Sequence, residues 1–190
     1  MKNDHAEAVA RALVAHSKEI ESFVESFVAE IAGARVLYTA GNGGSSSIAS
    51  HAVADFTKTA PLSVVGGPKR ITCLTDNTPL LTAFSNDYSY PGALVSAFEH
   101  THSAQDGKFA LLAVSSSGKS DNVVWLAEVV KNWGGTVVAM VGFDGGTLKK
   151  KADYCVHVDS RDYGVVEDCH HVVMHSIVGR LKKINAGEQQ

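Results

Sequence analysis

The spacing of apolar positions in this chain changes at Gly33. Before it, Val9, Leu13, Ile20, Phe23, Phe27 and Ile31 fall mostly at three- and four-residue steps, which predicts one long amphipathic helix over 4–32 with Gly33 closing it. After it, short apolar runs alternate with amphipathic stretches. The runs at 35–39, 70–75, 109–115, 136–142 and 154–159 read as strands, and those at 46–58, 78–87, 91–103, 120–133 and 165–183 as helices. Pro79 sits in the first turn of its helix, where a missing N–H costs nothing. Residues 61–69 form a Gly/Pro loop. The run FALLAVS at 109–115 is nearly all apolar, as expected of a strand covered on both faces. Strands that alternate with helices imply an α/β fold with a mainly parallel sheet and helices on both sides. The leading helix lies outside that alternation, so its apolar stripe is a candidate contact with another subunit.

Composition narrows the class. A length of 190 residues suits one domain, 1–190, with residues 1–33 as its helical arm. With 45% apolar and 19% charged residues the chain is globular, not disordered. A net charge of −3 argues against a dedicated nucleic-acid binder, which carries a basic face. The three cysteines, Cys73, Cys155 and Cys169, are odd in number and fit neither a zinc ribbon nor a disulfide framework. They read as buried free thiols in a reducing compartment. Residues 1–7 are polar and hold no signal-peptide core, and no run approaches 18 apolar residues. A cytoplasmic protein without a membrane span is therefore expected.

Two loops carry the chemistry. Gly41-Asn42-Gly43-Gly44-Ser45-Ser46-Ser47 follows the first strand and opens a helix. Its glycines let backbone approach an anion, the helix N-terminus offers free N–H groups, and its serines add hydroxyl donors. A plain turn needs one glycine and one capping serine, not three of each. The dinucleotide fingerprint fails because Ser46 stands where its third glycine belongs, and the P-loop reading fails because no Gly-Lys-Ser/Thr follows at the right spacing. Ser115-Ser116-Ser117-Gly118-Lys119-Ser120 again joins a buried strand to a helix. In parallel sheets ligands bind beyond the carboxyl ends of the strands, so both loops can converge on one phosphate monoester.

A second set is acid–base in character. His51 and Asp55, four apart, share a helix face, a spacing common among metal ligands. Glu167 and His175 lie on the last helix, separated by a rise of about 12 Å. Both serve one site only if Glu167 reaches in from the helix start. His171, on roughly the same face, is an alternative ligand, and His170 points elsewhere.

The Gly41–Ser45 run, the Ser115-x-Ser117-Gly118-x-Ser120 motif and the His-rich last helix resemble the sugar isomerase (SIS) domain family, in particular its phosphoheptose isomerase branch. The resemblance extends over nearly the whole chain and includes the turn Phe143-Asp144-Gly145-Gly146. It implies a three-layer αβα sandwich with a five-stranded, mainly parallel sheet, a homotetramer, and active sites between subunits. It places phosphate contacts on Ser45, Ser115, Ser117 and Ser120, with backbone from Ser116. Asn42, Gly43 and Gly44 would line the sugar site together with the pair Asn86-Asp87. The proton transfers of an aldose–ketose isomerisation fall on Asp55 and His175, with zinc or another divalent metal held by His51, Asp55, Glu167 and His175. Two positions depart from the family pattern: Asp55 replaces a typical Glu, and Glu167 stands where Gln is frequent. The substrate implied is sedoheptulose 7-phosphate or a stereochemical relative. The competing reading is a non-catalytic SIS scaffold that associates with a replication initiator. Such a scaffold has no chemical need for the His/carboxylate set.

Overall fold

The computed structural model describes residues 4–187. The outermost residues of the expected 1–190 domain, including the start of the polar N-terminal stretch, lie outside the described residues. The leading segment forms α1 (Asp4–Ala15) and α2 (Ser17–Ile31). The elements β1 (Val36–Ala40), α3 (Gly44–Ala54), β2 (Arg70–Cys73), α4 (Thr78–Asp87) and α5 (Tyr90–Thr101) follow. The rest is β3 (Phe109–Ser115), α6 (Asp121–Asn132), β4 (Thr136–Val141), α7 (Gly146–Lys151), β5 (Tyr154–His157) and α8 (Tyr163–Asn185). The five strands form one sheet in the order β2-β1-β3-β4-β5, every pair parallel. Tyr38 lies opposite Thr72 on one side and Leu111 on the other.

The sheet divides the core by the two-residue alternation of strand side chains. From β3, Ala110, Leu112 and Val114 face a cluster built with Phe27 and Ile31 of α2, Ile48 and Ala52 of α3, and Met174 and Ile177 of α8. Phe109, Leu111 and Ala113 face the opposite layer, where Leu94 and Phe98 of α5 and Leu126 and Val130 of α6 pack. The three-layer αβα arrangement expected from the sequence is the one observed. Among the described residues no helix is long and apolar enough to cross a membrane. Cys73 and Cys169 are buried and Cys155 is half-buried, all as free thiols. Burial pushes the Cys155 and Cys169 thiols up to about 11, away from reactive thiolate.

The leading segment corrects the sequence reading. It is broken at His16 (φ −106°, ψ 13°) instead of running as one helix. The His16 ring is held on both sides, its Nδ1 2.6 Å from Glu19 and its Nε2 accepting from the Asp159 N–H at 3.2 Å. The break lets Val9, Ala12 and Leu13 of α1 pack on Val158, Val165 and Cys169 beside the start of α8, while α2 covers the sheet. Apolar spacing alone does not register such a bend. The predicted helix 46–58 begins instead at Gly44, and its last turn, Asp55–Thr59, widens into a π-helix in which the Ala60 N–H reaches the Asp55 carbonyl at 2.8 Å. The sequence reading missed α7 altogether, because its GTLKKK buries Leu148 and nothing else. Other element ends differ by a residue or two, the usual scatter of fraying ends.

Candidate active site

The strand order reverses between β1 and β3, whose following helices α3 and α6 leave on opposite faces. This is where an open parallel sheet leaves a crevice. A cavity of about 290 Å³ lies there, lined by Asn42, Gly43, Gly44 and Ser45 after β1 and by Ser115, Ser116, Ser117 and Ser120 after β3, with Tyr163 and Glu167 from α8. Both neighbouring helices begin without a side-chain cap, α3 at Gly43 (φ +54°) and α6 at Ser120. Two helix N-termini therefore offer uncapped N–H groups and positive ends of their dipoles to one space. The oxygens of Ser115 and Ser117 accept the N–H groups of Gly118 and Lys119, each at 3.2 Å, and the Ser115 hydroxyl points its proton at Ser120 Oγ, 3.5 Å away inside the same loop. Among the described residues lining the cavity there is no Lys or Arg. The Lys119 ammonium is tied to Asp144 at 2.7 Å. Such a lining can hold an anion through hydroxyls and backbone N–H groups, without a cationic side chain.

The loop after β3 depends on Gly118. Its φ is +63°, and a Cβ there would meet the Gly145 backbone, which cannot swing away as a side chain can. The loop after β1 is held by residues the sequence reading did not single out. Asn42 donates to the Asn122 side-chain oxygen at 2.9 Å and accepts from the Asn122 amide at 2.9 Å and from the Tyr90 hydroxyl at 2.8 Å. Asn122 is only 3% exposed. Its one sequence signal is a polar side chain directly after the Ser/Gly loop on an otherwise apolar helix face. Tyr163 was also missed. It packs edge-on against Phe143 at the cavity mouth, ring centroids 4.7 Å apart.

About two turns further along α3 lies the acid–base cluster. His51 Nε2 is 3.5 Å from Asp55 Oδ2, and His175 Nε2 of α8 is 3.8 Å from the same oxygen. One ligand atom from each lies within 4.8 Å of the others. Asp55 is nearly buried and opens the π turn, a device common at functional sites. The two imidazoles stand edge to face with centroids 5.3 Å apart. Three converging donors, two imidazole nitrogens and a carboxylate, match the ligand types of a divalent transition metal. His171 stands close by, 5.7 Å from His51 and 6.0 Å from His175 between ring centroids. Burial, then the two neighbouring imidazoles, pull its pKa down. His170 faces the core, fully buried, its pKa pushed down to about 4 by desolvation.

The remaining expected residues lie apart from this cluster. The Glu167 carboxylate lies over Gly44 in the anion cavity, where a methyl on Gly44 would collide with it. Asn86 and Asp87 are exposed at the end of α4, hydrogen-bonded to each other at 2.9 Å, and line no part of the cavity.

The fold, the paired Ser/Gly loops and the His/carboxylate cluster together define a phosphosugar-binding α/β domain. The chain belongs to the SIS domain family, whose model matches residues 3–142. It is 40% identical over 146 residues to a phosphoheptose isomerase of Mycobacterium bovis, covering 77% of this chain and 71% of that protein. A phosphoheptose isomerase of Clostridium acetobutylicum is 30% identical over 172 residues, covering 90% of this chain and 85% of the relative. Among solved structures, a phosphoheptose isomerase from Francisella tularensis superposes with a TM-score of 0.82 at 20% identity, over 95% of this chain and 96% of the other.

Proposed function

We propose that this chain is an aldose–ketose isomerase that converts sedoheptulose 7-phosphate into D-glycero-D-manno-heptose 7-phosphate through an enediol or enediolate. The observation that carries the reading is the spacing of two sites along α3. The anion cavity is at Gly44 and the acid–base cluster begins at His51, seven residues or about 10 Å later. A seven-carbon sugar phosphate, extended with bonds of about 1.5 Å, covers a similar length, roughly 10 Å. With its phosphate among Ser45, Ser115, Ser117 and Ser120, its C1–C2 end reaches Asp55 and His175. Asn42, Gly43 and Gly44 flank the carbon chain between them.

Isomerisation moves a proton between C1 and C2. It needs a base at carbon and an acid at the carbonyl oxygen, and a carboxylate beside an imidazole supplies both. Zinc or another divalent metal on His51, Asp55 and His175 would polarise that carbonyl and lower the energy of the enediolate. In this reading Asn86 and Asp87 serve the site of a neighbouring subunit in a cytoplasmic homotetramer. Their exposure, and the absence of any buried residue on α4, support that arrangement.

The test is turnover of sedoheptulose 7-phosphate followed by NMR with protein as purified, with EDTA and with added zinc. Product lost on chelation and restored by zinc is expected. No product in any condition refutes the assignment. Light scattering on the eluting protein checks the tetramer.

A further inference from the structure

We propose that Tyr163 is a substrate-binding residue of the anion cavity, donating its hydroxyl proton to the phosphate monoester from the cavity mouth, and that Phe143 is the positioning residue that holds its ring there. The inference deepens the reading above that this cavity takes the phosphate end of a sugar phosphate, and rests on it. Tyr163 is the first residue of α8 and lines the cavity together with Glu167, one helical turn further on and on the same face. Tyr163 is 59% exposed, so burial does not account for its place. Its ring meets that of Phe143 edge to face, with centroids 4.7 Å apart and planes 69° apart, a geometry aromatic pairs favour. Among the described residues its hydroxyl has no protein partner. A phenol hydroxyl donates one hydrogen bond without bringing charge. That suits a cavity whose described lining holds no Lys or Arg and in which the Ser115 proton is turned toward Ser120.

The backbone of Phe143 shows that this placement is imposed. Among the described residues it is the one non-glycine with a positive φ, +50°, where a bulky side chain is strained. It is held there from both sides. Its N–H donates to the Ser160 carbonyl at 2.9 Å, and its carbonyl accepts from His157 Nε2 at 2.9 Å. The Lys149 ammonium, which can only donate, lies 3.0 Å from His157 Nδ1, so Nε2 carries the ring proton. The same turn is tied to the loop after β3. The Gly142 N–H donates to the Ser116 carbonyl and the Leu148 N–H to the Gly118 carbonyl, each at 2.9 Å. Phe143 packs on the cluster of Val158, Val165 and Cys169. One turn therefore sets both the second Ser/Gly loop and the aromatic wall beside it, and its strained residue is the one that fixes an exposed ring at the cavity mouth.

The experiment titrates the intact protein with inorganic phosphate, following the amide resonances of Gly44 and Ser117 by NMR. Tm, and kcat and KM for sedoheptulose 7-phosphate, are measured in parallel. Tyr163→Phe keeps the ring and removes the hydroxyl. It should weaken phosphate binding and raise KM by about tenfold, lower kcat less than about threefold, and leave Tm within about 1 °C. Phe143→Leu keeps an apolar side chain and removes the aromatic edge. It should raise KM by a similar factor, and adding Tyr163→Phe to it should cost less than about twofold more. Unchanged phosphate binding in Tyr163→Phe, no phosphate binding by the unsubstituted protein, or a Tm loss above about 3 °C in Tyr163→Phe would each overturn the role of Tyr163. Effects of the two substitutions that multiply would overturn that of Phe143. Turnover with phosphate binding unchanged in Tyr163→Phe refutes Tyr163 and leaves the isomerase standing; weakened phosphate binding in that variant, with no turnover by the unsubstituted protein, does the reverse.

Discussion

Replacing Asn122 with Ala removes the clamp that sets the first anion loop, and its cost follows from the contacts. Two side-chain bonds to Asn42 at 2.9 Å disappear. The Val123 N–H, which also reaches the Asn122 oxygen at 3.0 Å, keeps the Ser120 carbonyl at 3.0 Å and loses little. The Asn42 oxygen keeps Tyr90, but its amide protons lose their partner. At about 1 kcal/mol net per bond, and another 1–2 kcal/mol for a part-buried donor left unpaired, the loss is about 3 kcal/mol. For a chain of this size each kcal/mol shifts Tm by about 2–4 °C, so a drop of about 6–12 °C is expected by circular dichroism. Because Asn42 lines the cavity, KM for the sugar phosphate should rise about tenfold, equivalent to about 1.4 kcal/mol, with kcat changed much less. Asn122→Asp keeps the shape but sets a carboxylate oxygen against the Asn42 carbonyl oxygen, and should be no milder. Pairing Asn122→Ala with Asn42→Ala should expose a coupling energy of about 1–2 kcal/mol. A Tm loss below about 1 °C, or additive single effects with KM unmoved, would refute the clamp.

Gly118→Ala should raise KM well over tenfold and lower Tm, because the Gly145 backbone blocks the new methyl and φ is +63°; saturation kinetics at the wild-type KM would contradict this. Asp55→Asn removes the carboxylate shared by His51 and His175, and turnover should fall by about 10²–10⁴ with the circular dichroism spectrum intact; retention of more than about half the activity would remove Asp55 from the chemistry. His170 makes stability fall on the acid side. In the folded chain it takes a proton only near pH 4, whereas in the unfolded chain it does so near about 6.5. Protons therefore favour the unfolded state between those values, and stability present above about pH 6.5 is lost at about 1.4 kcal/mol per pH unit toward pH 4. Unfolding free energies from urea titrations at about pH 7.5 and 5 should differ by about 2 kcal/mol from this group, and His170→Leu should flatten that difference; equal losses in both proteins would assign the acid limb to other groups.

How much was legible depended on how local the signal was. The five strands and most of their neighbouring helices could be read because they bury one face, and burial writes a period into the residues; α4, which buries no residue, was read from Pro79 in its first turn. The two Ser/Gly loops after β1 and β3 could be placed because their glycines and serines stand at consecutive positions between an apolar run and a helix. His51 and Asp55 could be paired because one turn of helix fixes their neighbourhood. The break at His16 could not be read, since it is set by contacts with Asp159 and by the site on α8 where α1 docks. Nor could α7, whose single buried leucine has no period.

The sequence by itself determined the class of fold, the two Ser/Gly loops at strand ends and the stock of acid–base side chains, because helix and strand periods and loop chemistry act over a few residues. Only the tertiary structure decided which of those side chains meet. The parallel sheet lays α3 and α8 side by side, so Gly44 faces Glu167 at one end and His51 faces His171 and His175 two turns on. It also joined Asn42 to Asn122 across 80 residues of chain. Register between two packed helices is set by the sheet beneath both, and no local pattern in either helix records it.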